Sequence, residues 1–430
     1  MAEHTDPKLQ NQVMYSVYVR NHTPEGTFQA VIPDLDRIKA LGVDIIWLMP
    51  IHPIGVKNRK GTLGSPYANR DYRAVNPEYG TLEDFQTLVA AIHDRGMKCI
   101  IDVVYNHTSP DSVLWETHPE FFYKRPDGTP GNHVGDWTDI IDLDYTVPGL
   151  WDCQIESLKY WASMVDGFRC DVASFLPVEF WKRARAACEQ VRPGCLWLAE
   201  SVHRSFNAYC RRQGMYVSRD VDAFDAFDME YEYDIREVFD KYLRGEANLS
   251  HWLDLMNFQE FAYPANYNKL RFLENHDQPR IASLVKRESD LINFTAMLYF
   301  EKGTTLLFGG QEVECDHLPS LFDRDPVDWN TGKDLSPLMA TLGRIKREIL
   351  SPDDAFYAEA DDKRDIAVLT RDNGRTRKIG VFSLASQSGQ VRVDAPDGVY
   401  TDLLMAGSTV TVRDGMVTCV GRPMMICFAV

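Results

Sequence analysis

Short apolar runs alternate with longer amphipathic segments along most of the chain. The run VDIIWLMP (43–50) is continuously apolar, as expected for a strand buried on both faces of a parallel sheet. The segment 81–96 has helical spacing; Thr81 and Asp84 suit its N-terminal cap, and Gly96 suits its end. The same patterns predict strands at 13–19, 97–105, 167–171, 195–200, 270–275 and 304–309, and helices at 28–42, 151–164, 177–191 and 291–300.

The repeated order of strand, helix and strand is typical of a parallel sheet with crossover helices. About eight such units over roughly 340 residues fit a closed (β/α)8 barrel better than a doubly wound sheet. No Gly-x-Gly-x-x-Gly turn follows the first strand, so the main argument for a dinucleotide-binding fold is missing. We therefore predict an α/β fold built on a (β/α)8 TIM barrel.

Two segments depart from this repeat. Residues 106–148 are too many for an ordinary connection and carry several aromatic residues, which indicates a short inserted subdomain after the third strand. Beyond residue 352 the chain changes to short strand-like runs separated by Gly, Asp and Asn, which is typical of an all-β sandwich. The predicted division is a barrel domain at 1–105 and 149–352, an inserted subdomain B at 106–148, and a C-terminal β-sandwich domain at 353–430.

The chain of 430 residues is acidic: 63 Asp and Glu against 46 Lys and Arg give a net charge of −17. This charge repels phosphate backbones and anionic lipids, so we expect no nucleic acid and no membrane as partner, whereas a neutral glucan is unaffected. The first residues show no secretory signal, and no apolar run is long enough to span a membrane. The nine cysteines form no Cys-x-x-Cys pair, which argues against zinc and favours reduced thiols in a cytoplasmic protein.

Ionisable residues gather at or just after the ends of the predicted strands, where a barrel of this type places its chemistry. Charge in such positions is unfavourable unless the charged groups face a shared site. The polar residues at these positions are Asp102, Asn106, His107, Arg169, Asp171, Glu200, Asn275, His276 and Asp277.

Asp171 and Glu200 have the spacing of a catalytic pair. They are 29 residues apart, about one strand–helix–strand unit, so they follow adjacent strands and can face each other. Hydrolysis of a glycoside with retention of configuration uses two such carboxyl groups, one as nucleophile and one as acid/base. Arg169 shares a strand face with Asp171, and a neighbouring guanidinium keeps a carboxylate ionised. Glu200 follows an apolar run, and desolvation there would raise its pKa towards acid/base catalysis.

Four motifs stand at the ends of predicted strands: DVVYNH (102–107), GFRCDVAS (167–174), LWLAES (196–201) and FLENHD (272–277). In this order they resemble the strand-end motifs of the α-amylase family, glycoside hydrolase family 13. Two further segments, 64–81 and 141–145, resemble that family's stretch after the second strand and the end of its inserted subdomain. The likeness extends from about Met14 to Leu350, and it is nearest to bacterial intracellular-type α-amylases that act on maltodextrins.

The resemblance implies catalytic roles for three acids of this chain. Asp171 would be the nucleophile that forms a covalent glycosyl-enzyme, and Glu200 would be the acid/base. Asp277 would stabilise the transition state by holding sugar hydroxyls. Arg169 would orient Asp171.

The resemblance also implies how the sugar is bound. His107 and His276 would hydrogen-bond the hydroxyls of the sugar being cleaved, and Tyr67 would stack on its face. Asp102 and Asn106 would be structural, holding the end of the third strand.

No cofactor is expected for this chemistry. Calcium is an open alternative, because family 13 enzymes often tie the position of Asn106 to acids of the inserted subdomain through that ion. Asp136, Asp139 and Asp142 are acidic, but they match no clear ligand set, and such a run is more often a solvated face. We therefore assign no metal ligand.

The predicted function is hydrolysis of α-glucosidic bonds, first of all α-1,4, in malto-oligosaccharides or starch-derived glucans. Gly64 stands where many exo-acting relatives carry Asp, which favours an open cleft, and Val172 occurs with both α-1,6 and α-1,4 bonds. The same residues would serve a glucanotransferase or a sugar isomerase of the family, since the sequence does not separate water from sugar as acceptor. A barrel that binds glycans without catalysis is a second alternative, although Asp171, Glu200 and Asp277 are all present.

Overall fold

The structure, a computed structural model, describes Ala2 and residues 5–430. Eight parallel strands pair in chain order, and the eighth returns to the first, which closes the predicted (β/α)8 TIM barrel. The strands are buried because helices cover the outside of the barrel and side chains fill the inside. They are β1 Val13–Val17, β2 Ile45–Leu48, β3 Lys98–Val103, β4 Gly167–Cys170, β5 Leu196–Ala199, β6 Met229–Tyr231, β7 Lys269–Arg271 and β8 Thr304–Phe308.

One or more α-helices follow each barrel strand. Within Ala2 and residues 5–430, none of them is both long and apolar enough to cross a membrane. They are α1 Val19–His22, α2 Phe28–Val31, α3 Leu35–Ala40, α4 Leu82–Asp94, α5 Val113–Thr117, α6 Leu150–Ala162, α7 Val178–Glu189, α8 Arg204–Arg212, α9 Asp220–Ala223, α10 Tyr233–Leu243, α11 Leu249–Ala262, α12 Ile281–Leu284, α13 Glu288–Phe300 and α14 Ser336–Glu348.

The predicted cap of α4 is confirmed. The Asp84 N–H donates to Thr81 Oγ1 at 3.1 Å, and the Thr81 N–H donates to Asp84 Oδ2 at 2.8 Å. These reciprocal bonds satisfy backbone donors that the first helical turn leaves free.

Two predicted elements are wrong in extent. The helix expected at 28–42 is interrupted between α2 and α3 by a 3₁₀ turn, because Pro33 lacks the backbone N–H that a continuous helix needs. The strand expected at 270–275 ends at Arg271. Beyond it, Arg280 Nη1 donates to Glu274 Oε1 at 2.6 Å, which fixes the motif at 272–277 as a loop rather than a strand.

Residues 106–148 form a compact extension between β3 and α6. Two short strands, His107–Thr108 and Ile141–Asp142, pair in antiparallel fashion and bring the two ends of the extension together. Trp137 packs on a small apolar cluster of Ile54, Ala68 and Ile140, which joins the extension to the loop after β2. The extension therefore lies over the rim of the barrel where the β2 and β3 loops begin.

Two antiparallel four-stranded sheets follow the barrel and confirm the predicted all-β region. Their strand orders are β9-β10-β11-β16 and β12-β15-β14-β13. The side chain of Asn257 in α11 exchanges two hydrogen bonds of 2.8 Å with the backbone of Ala358, which ties the first sheet to the barrel. The strands are β9 Ala355–Asp361, β10 Ile366–Asp372, β11 Thr376–Ser383, β12 Ser388–Arg392, β13 Gly398–Thr401, β14 Thr409–Arg413, β15 Met416–Val420 and β16 Met424–Ala429.

Gly167 permits the close approach of β4 to β5, and we expect Gly167→Ala to destabilise the barrel. A Cβ at this position would lie 2.2 Å from the backbone oxygen of Leu196, so the two strands would have to separate. The expected loss in the free energy of unfolding is roughly 1–3 kcal/mol, measured by urea denaturation.

The matched control is Gly135→Ala, because a Cβ at Gly135 meets no atom within 4 Å and the backbone there is not left-handed. Equal stability of the two variants would contradict the role assigned to Gly167.

Candidate active site

Three neighbouring strands deliver the central charged side chains. Asp102 in β3 lies directly across from Arg169 in β4, and Asp171 follows the end of β4. Glu200 follows β5, one strand further round the barrel. Because parallel strands end on the same rim, these four side chains converge.

Arg169 is fully buried and contacts all three acids. Its Nη1 donates to Asp102 Oδ1 and to Asp171 Oδ1, both at 2.9 Å, and its Nη2 lies 2.8 Å from Glu200 Oε1. One guanidinium therefore faces three carboxyl groups. With all three ionised the cluster would carry two uncompensated negative charges among largely buried side chains, which favours retention of a proton.

Aromatic rings surround the guanidinium. The Cζ atom of Arg169 lies 5.1 Å from the ring centroid of Trp47, 5.4 Å from that of Tyr231 and 5.7 Å from that of Tyr67. These distances are within the range of cation–π attraction, and the rings shield the ion pairs from water. Because of this shielding, the charges in the cluster interact more strongly with one another than they would at the protein surface.

The two acids of the predicted catalytic pair have different pKa values. The pKa of Glu200 is raised to about 8, chiefly by burial; Arg169 lowers it, and Asp171 and Asp277 add to the increase. Burial also raises the pKa of Asp171 to about 6, because it outweighs the attraction of Arg169. Arg169 lowers this pKa, as its position beside Asp171 predicts, but does not bring it back to the ordinary value of an aspartate. The order nonetheless leaves Asp171 largely ionised and Glu200 largely protonated near pH 7.

Val172, directly after Asp171, has a strained backbone. Its φ of 36° and ψ of 45° lie in the left-handed region, which a β-branched residue rarely adopts. In this conformation its N–H donates to Glu200 Oε2 at 2.7 Å. The strain of roughly 1–3 kcal/mol thus accompanies a hydrogen bond that orients Glu200 relative to Asp171.

Tyr67, His276 and Asp277 form a second group beside Arg169. The rings of Tyr67 and His276 stack with centroids 5.3 Å apart, and Tyr67 Oη lies 2.7 Å from His276 Nε2 and 3.1 Å from Asp102 Oδ2. His276 Nε2 lies 3.0 Å from Asp277 Oδ2. Burial opposes charge on both partners, but their mutual attraction outweighs it, so the pKa of His276 is raised and that of Asp277 is lowered. The side chain of Asp277 is 42% exposed and can meet a ligand.

A cavity of about 450 Å³ opens above these groups, between the barrel rim and the inserted segment. His107 reaches it from the start of that segment, with its Nδ1 3.1 Å from Asn106 Nδ2. Arg169 does not line the cavity but lies beneath the acids. Six of the seven predicted site residues line it: Tyr67, His107, Asp171, Glu200, His276 and Asp277.

The cavity also has walls that the sequence did not predict. The lining residues that follow Glu200 could have been predicted by extending the motif at 196–201 along the chain. The lining residues from distant loops have no sequence pattern that marks them. Ser65, Val172 and Ser201, which lie within the quoted segments, and Trp137 also line the cavity. The remaining lining residues are Lys60, Asp139, Ile140, Val202, His203, Phe206, Tyr233, Gln278 and Phe322.

The side chains near Asn106 do not suit calcium. Asp139 Oδ1 is paired with Lys60 Nζ at 3.1 Å, and Asp142 Oδ2 is paired with His133 Nδ1 at 2.7 Å. The Asn106 amide contacts His107 instead of an acid. In the part of the chain that the structure describes, no three His, Cys, Asp or Glu side chains are grouped to hold a metal ion. The described side chains around Asn106 therefore form no grouped set of calcium ligands.

Comparison with known families now decides the classification. The protein-family model described as "Alpha amylase, catalytic domain" matches residues 8–126 and 133–378. The family model described as "Bacterial Alpha amylase C-terminal domain" matches residues 357–426. The chain belongs to the α-amylase family. The catalytic-domain match contains every residue of the Arg169 cluster.

Solved structures of this family superpose closely. An alpha-amylase from Lactobacillus plantarum has 42% identity and a TM-score of 0.93, covering 98% of this chain and 100% of its own. A noncanonic maltogenic alpha-amylase from Thermotoga neapolitana has 28% identity and a TM-score of 0.87, with coverage of 98% and 100%. A curated relative, alpha-1,4-glucan:maltose-1-phosphate maltosyltransferase of Rhodospirillum rubrum, is 29% identical over 75% of this chain. The chain spans 48% of that longer protein.

Arg169→Met should destabilise this α-amylase-family protein more at pH 8 than at pH 5. Without the guanidinium the pKa values of the buried acids rise further, so the folded variant keeps protons that the unfolded chain loses above about pH 4. The free energy of unfolding of the variant, relative to that of the wild type, therefore falls as the pH rises. At pH 8 the variant should be less stable by roughly 3–5 kcal/mol, measured by urea denaturation.

A matched control is Arg183→Met, because Arg183 and its partner Asp152 are 55% and 66% exposed. This variant should lose less than about 1 kcal/mol. A loss for Arg169→Met that is the same at pH 5 and pH 8 would argue against the shared guanidinium as the cause.

Proposed function

We propose that the protein is a retaining α-glycosidase that hydrolyses α-glucosidic bonds, chiefly α-1,4, in malto-oligosaccharides or starch-derived glucans. The observation that supports this most is the pairing of Asp171 and Glu200 on separate nitrogens of Arg169, with pKa values of about 6 and about 8. An ionised carboxylate beside a protonated one, both facing one cavity, is the arrangement that retaining hydrolysis requires.

In the first step the Asp171 carboxylate attacks the anomeric carbon and forms a glycosyl ester. The bond to the leaving oxygen breaks as Glu200 transfers its proton to that oxygen, so the shortened glucan leaves neutral. In the second step the Glu200 carboxylate takes a proton from water, the resulting hydroxide equivalent attacks the anomeric carbon, and Asp171 is released. Both residues end in their starting protonation states.

The surrounding residues bind the sugar during these steps. Asp277, ionised and part-exposed beside His276, can accept hydrogen bonds from two neighbouring hydroxyls and strengthen them as positive charge develops on the ring. His107 and His276 offer ring nitrogens to further hydroxyls. Tyr67 presents its ring, which His276 holds in place, to the sugar's apolar face.

Transfer of the glycosyl group to a second sugar is the second candidate. The 29% identical relative named as a maltosyltransferase favours it. The first step is the same, and only the acceptor in the second step differs. A non-catalytic glycan-binding barrel is the remaining alternative, and it gives no reason for two buried acids with separated pKa values.

We further propose that this chemistry needs no cofactor, since proton transfer and the covalent step are supplied by side chains alone. A cytoplasmic location is also proposed. It is supported by all nine cysteines being free thiols, mostly buried, as in proteins of reducing compartments.

Asp171→Asn should abolish turnover of maltoheptaose and leave the fold intact, because the substitution is nearly isosteric and removes only the nucleophile. Products are followed over time by chromatography, and the melting temperature reports folding. Asp152→Asn, at a 66% exposed surface position, is the control and should retain wild-type turnover.

Shorter maltodextrins formed only by the wild type and the control would support hydrolysis, and longer ones would support transfer. Turnover by Asp171→Asn at the wild-type rate would refute the nucleophile. No turnover by the wild type would direct the search to α-1,6-linked glucans, sucrose and trehalose.

The pH profile of kcat/KM should be bell-shaped, with an acid limb near pH 6 and an alkaline limb near pH 8. Asp171 must lose its proton to attack, which gives the acid limb, and Glu200 must keep its proton to protonate the leaving group, which gives the alkaline limb. In the wild type the alkaline limb should appear with maltoheptaose and be absent with α-maltosyl fluoride, because fluoride leaves without acid assistance. An alkaline limb that is the same for both substrates would rule out its assignment to Glu200.

A further inference from the structure

A second cavity, of about 650 Å³, lies outside the junction of β8 and β1, on the same rim of the barrel as the catalytic cavity. His22, which ends α1, and Val313, just after β8, both line it. The segment between β8 and α14 contributes to both cavities: its Phe322 lines the catalytic cavity, whereas its Trp329 lines the second one. Among the described residues none lines both, so the second cavity is a separate site.

Trp329 is fixed in the wall of the second cavity. Its Nε1 donates to the backbone oxygen of His22 at 2.8 Å, and the Val327 N–H donates to the backbone oxygen of Asn21, also at 2.8 Å. The indole is part-exposed and lies outside the apolar core clusters. The ring of His22 lies 5.1 Å from it, and the Cζ atom of Arg37 lies 4.6 Å from its centroid. An aromatic surface is thus held in place among polar groups.

Arg37 lines the same cavity and keeps part of its hydrogen-bonding capacity. Its Nε and Nη2 donate to Asp34 at 2.6 and 2.7 Å, and its Nη1 donates to Glu312. A guanidinium has five N–H groups, so two remain after these bonds, on a side chain that is 35% exposed. The carboxylates therefore fix the guanidinium, and its remaining N–H groups can donate to a ligand.

Other lining side chains also offer hydrogen bonds. Within the part of the chain that the structure describes, the hydroxyls of Thr23 and Ser336 donate to no protein acceptor. Asp334 Oδ1 accepts the Ser336 N–H at 2.8 Å, and among the same residues no donor reaches its Oδ2. The cavity therefore presents both donors and an acceptor beside an indole ring.

The charges around the second cavity favour a neutral ligand. Three carboxylates lie there: Asp34, Glu312 and Asp334. They outnumber the positive charges that Arg37 and His22 can carry, so an anion is repelled. The guanidinium already makes the cation–π contact with the indole and repels a second cation. A pyranose avoids both penalties, because its hydroxyls donate and accept and its C–H faces pack on an aromatic ring.

We propose that this cavity is a second, non-catalytic saccharide site, which binds a short α-glucan segment through Trp329, Arg37 and Asp334. The choice of an α-glucan rests on the proposed function, whereas the choice of a neutral, polyhydroxylated ligand rests on the cavity alone. A saccharide held here is not cleaved, because the two acids of the proposed chemistry, Asp171 and Glu200, line the other cavity.

The test counts binding sites for maltotriose in the Asp171→Asn variant, which is expected not to turn glucans over. Equilibrium dialysis against labelled maltotriose should show two molecules bound per chain, one in each cavity, with Kd values below about 10 mM. Adding Trp329→Leu should weaken one of them at least about tenfold, since leucine offers no aromatic face. Adding Asp334→Asn should weaken one by roughly three- to tenfold, because it keeps the bond to the Ser336 N–H and removes only the charge of the acceptor.

Phe258→Leu is the matched control, at a 62% exposed aromatic position on α11, and should keep both sites. The melting temperature reports folding, and Asp334→Asn, at an exposed position, carries the test if Trp329→Leu does not fold. A site count and affinities that neither substitution changes would overturn the second site, even where wild-type turnover of maltoheptaose upholds the proposed function. A site that Trp329→Leu removes, in a protein that turns over no glucan, would support the second site and refute the proposed function.

Discussion

The single guanidinium shared by three buried carboxyl groups is the constraint on which the site depends. Asp102, Asp171 and Glu200 each approach Arg169 within 2.9 Å, and each lies in surroundings that oppose ionisation. One positive charge compensates only part of their negative charge, so the cluster keeps a proton. Glu200 holds it because burial raises its pKa, and Asp171 and Asp277 add to this by repelling its ionised form. In the proposed mechanism, the difference between nucleophile and acid thus follows from the burial of the two carboxyl groups and from the charges around them.

The barrel makes this arrangement geometrically possible. Strand pairing sets Asp102 opposite Arg169, and the closeness of β4 to β5 at Gly167 brings Glu200 within reach. The strained backbone of Val172 then directs an N–H at the Glu200 carboxylate. Each of these features is unfavourable or restrictive by itself, and the packed walls of the barrel enforce them together. The rigid barrel therefore fixes the relative positions of these side chains, which the short motifs could not do by themselves.

Much of the fold was predictable from sequence, because barrel strands are continuously apolar and their helices are strongly patterned. The exceptions have physical causes. β6 was not predicted, since its central residue, Glu230, interrupts the apolar pattern; it is buried and pairs at 2.7 Å with Lys269 of the neighbouring strand. Six of the seven predicted site residues line one cavity because motifs at strand ends must converge on the barrel rim. Walls such as Lys60 and Phe322 come from loops whose paths no local pattern encodes.

Catalytic acids alone do not decide whether water or a sugar receives the glycosyl group. In the proposed mechanism Glu200 makes the same proton transfers for either acceptor, Asp171 forms and releases the same ester, and water has constant access to an open cavity. A sugar competes only if binding elsewhere holds its hydroxyl beside Glu200 long enough to react, which requires favourable contacts remote from the reacting atoms. Family membership fixes the acids but not those contacts. The outcome therefore depends on the walls of the cavity beyond the acids, which include Val202, Phe206 and Trp137.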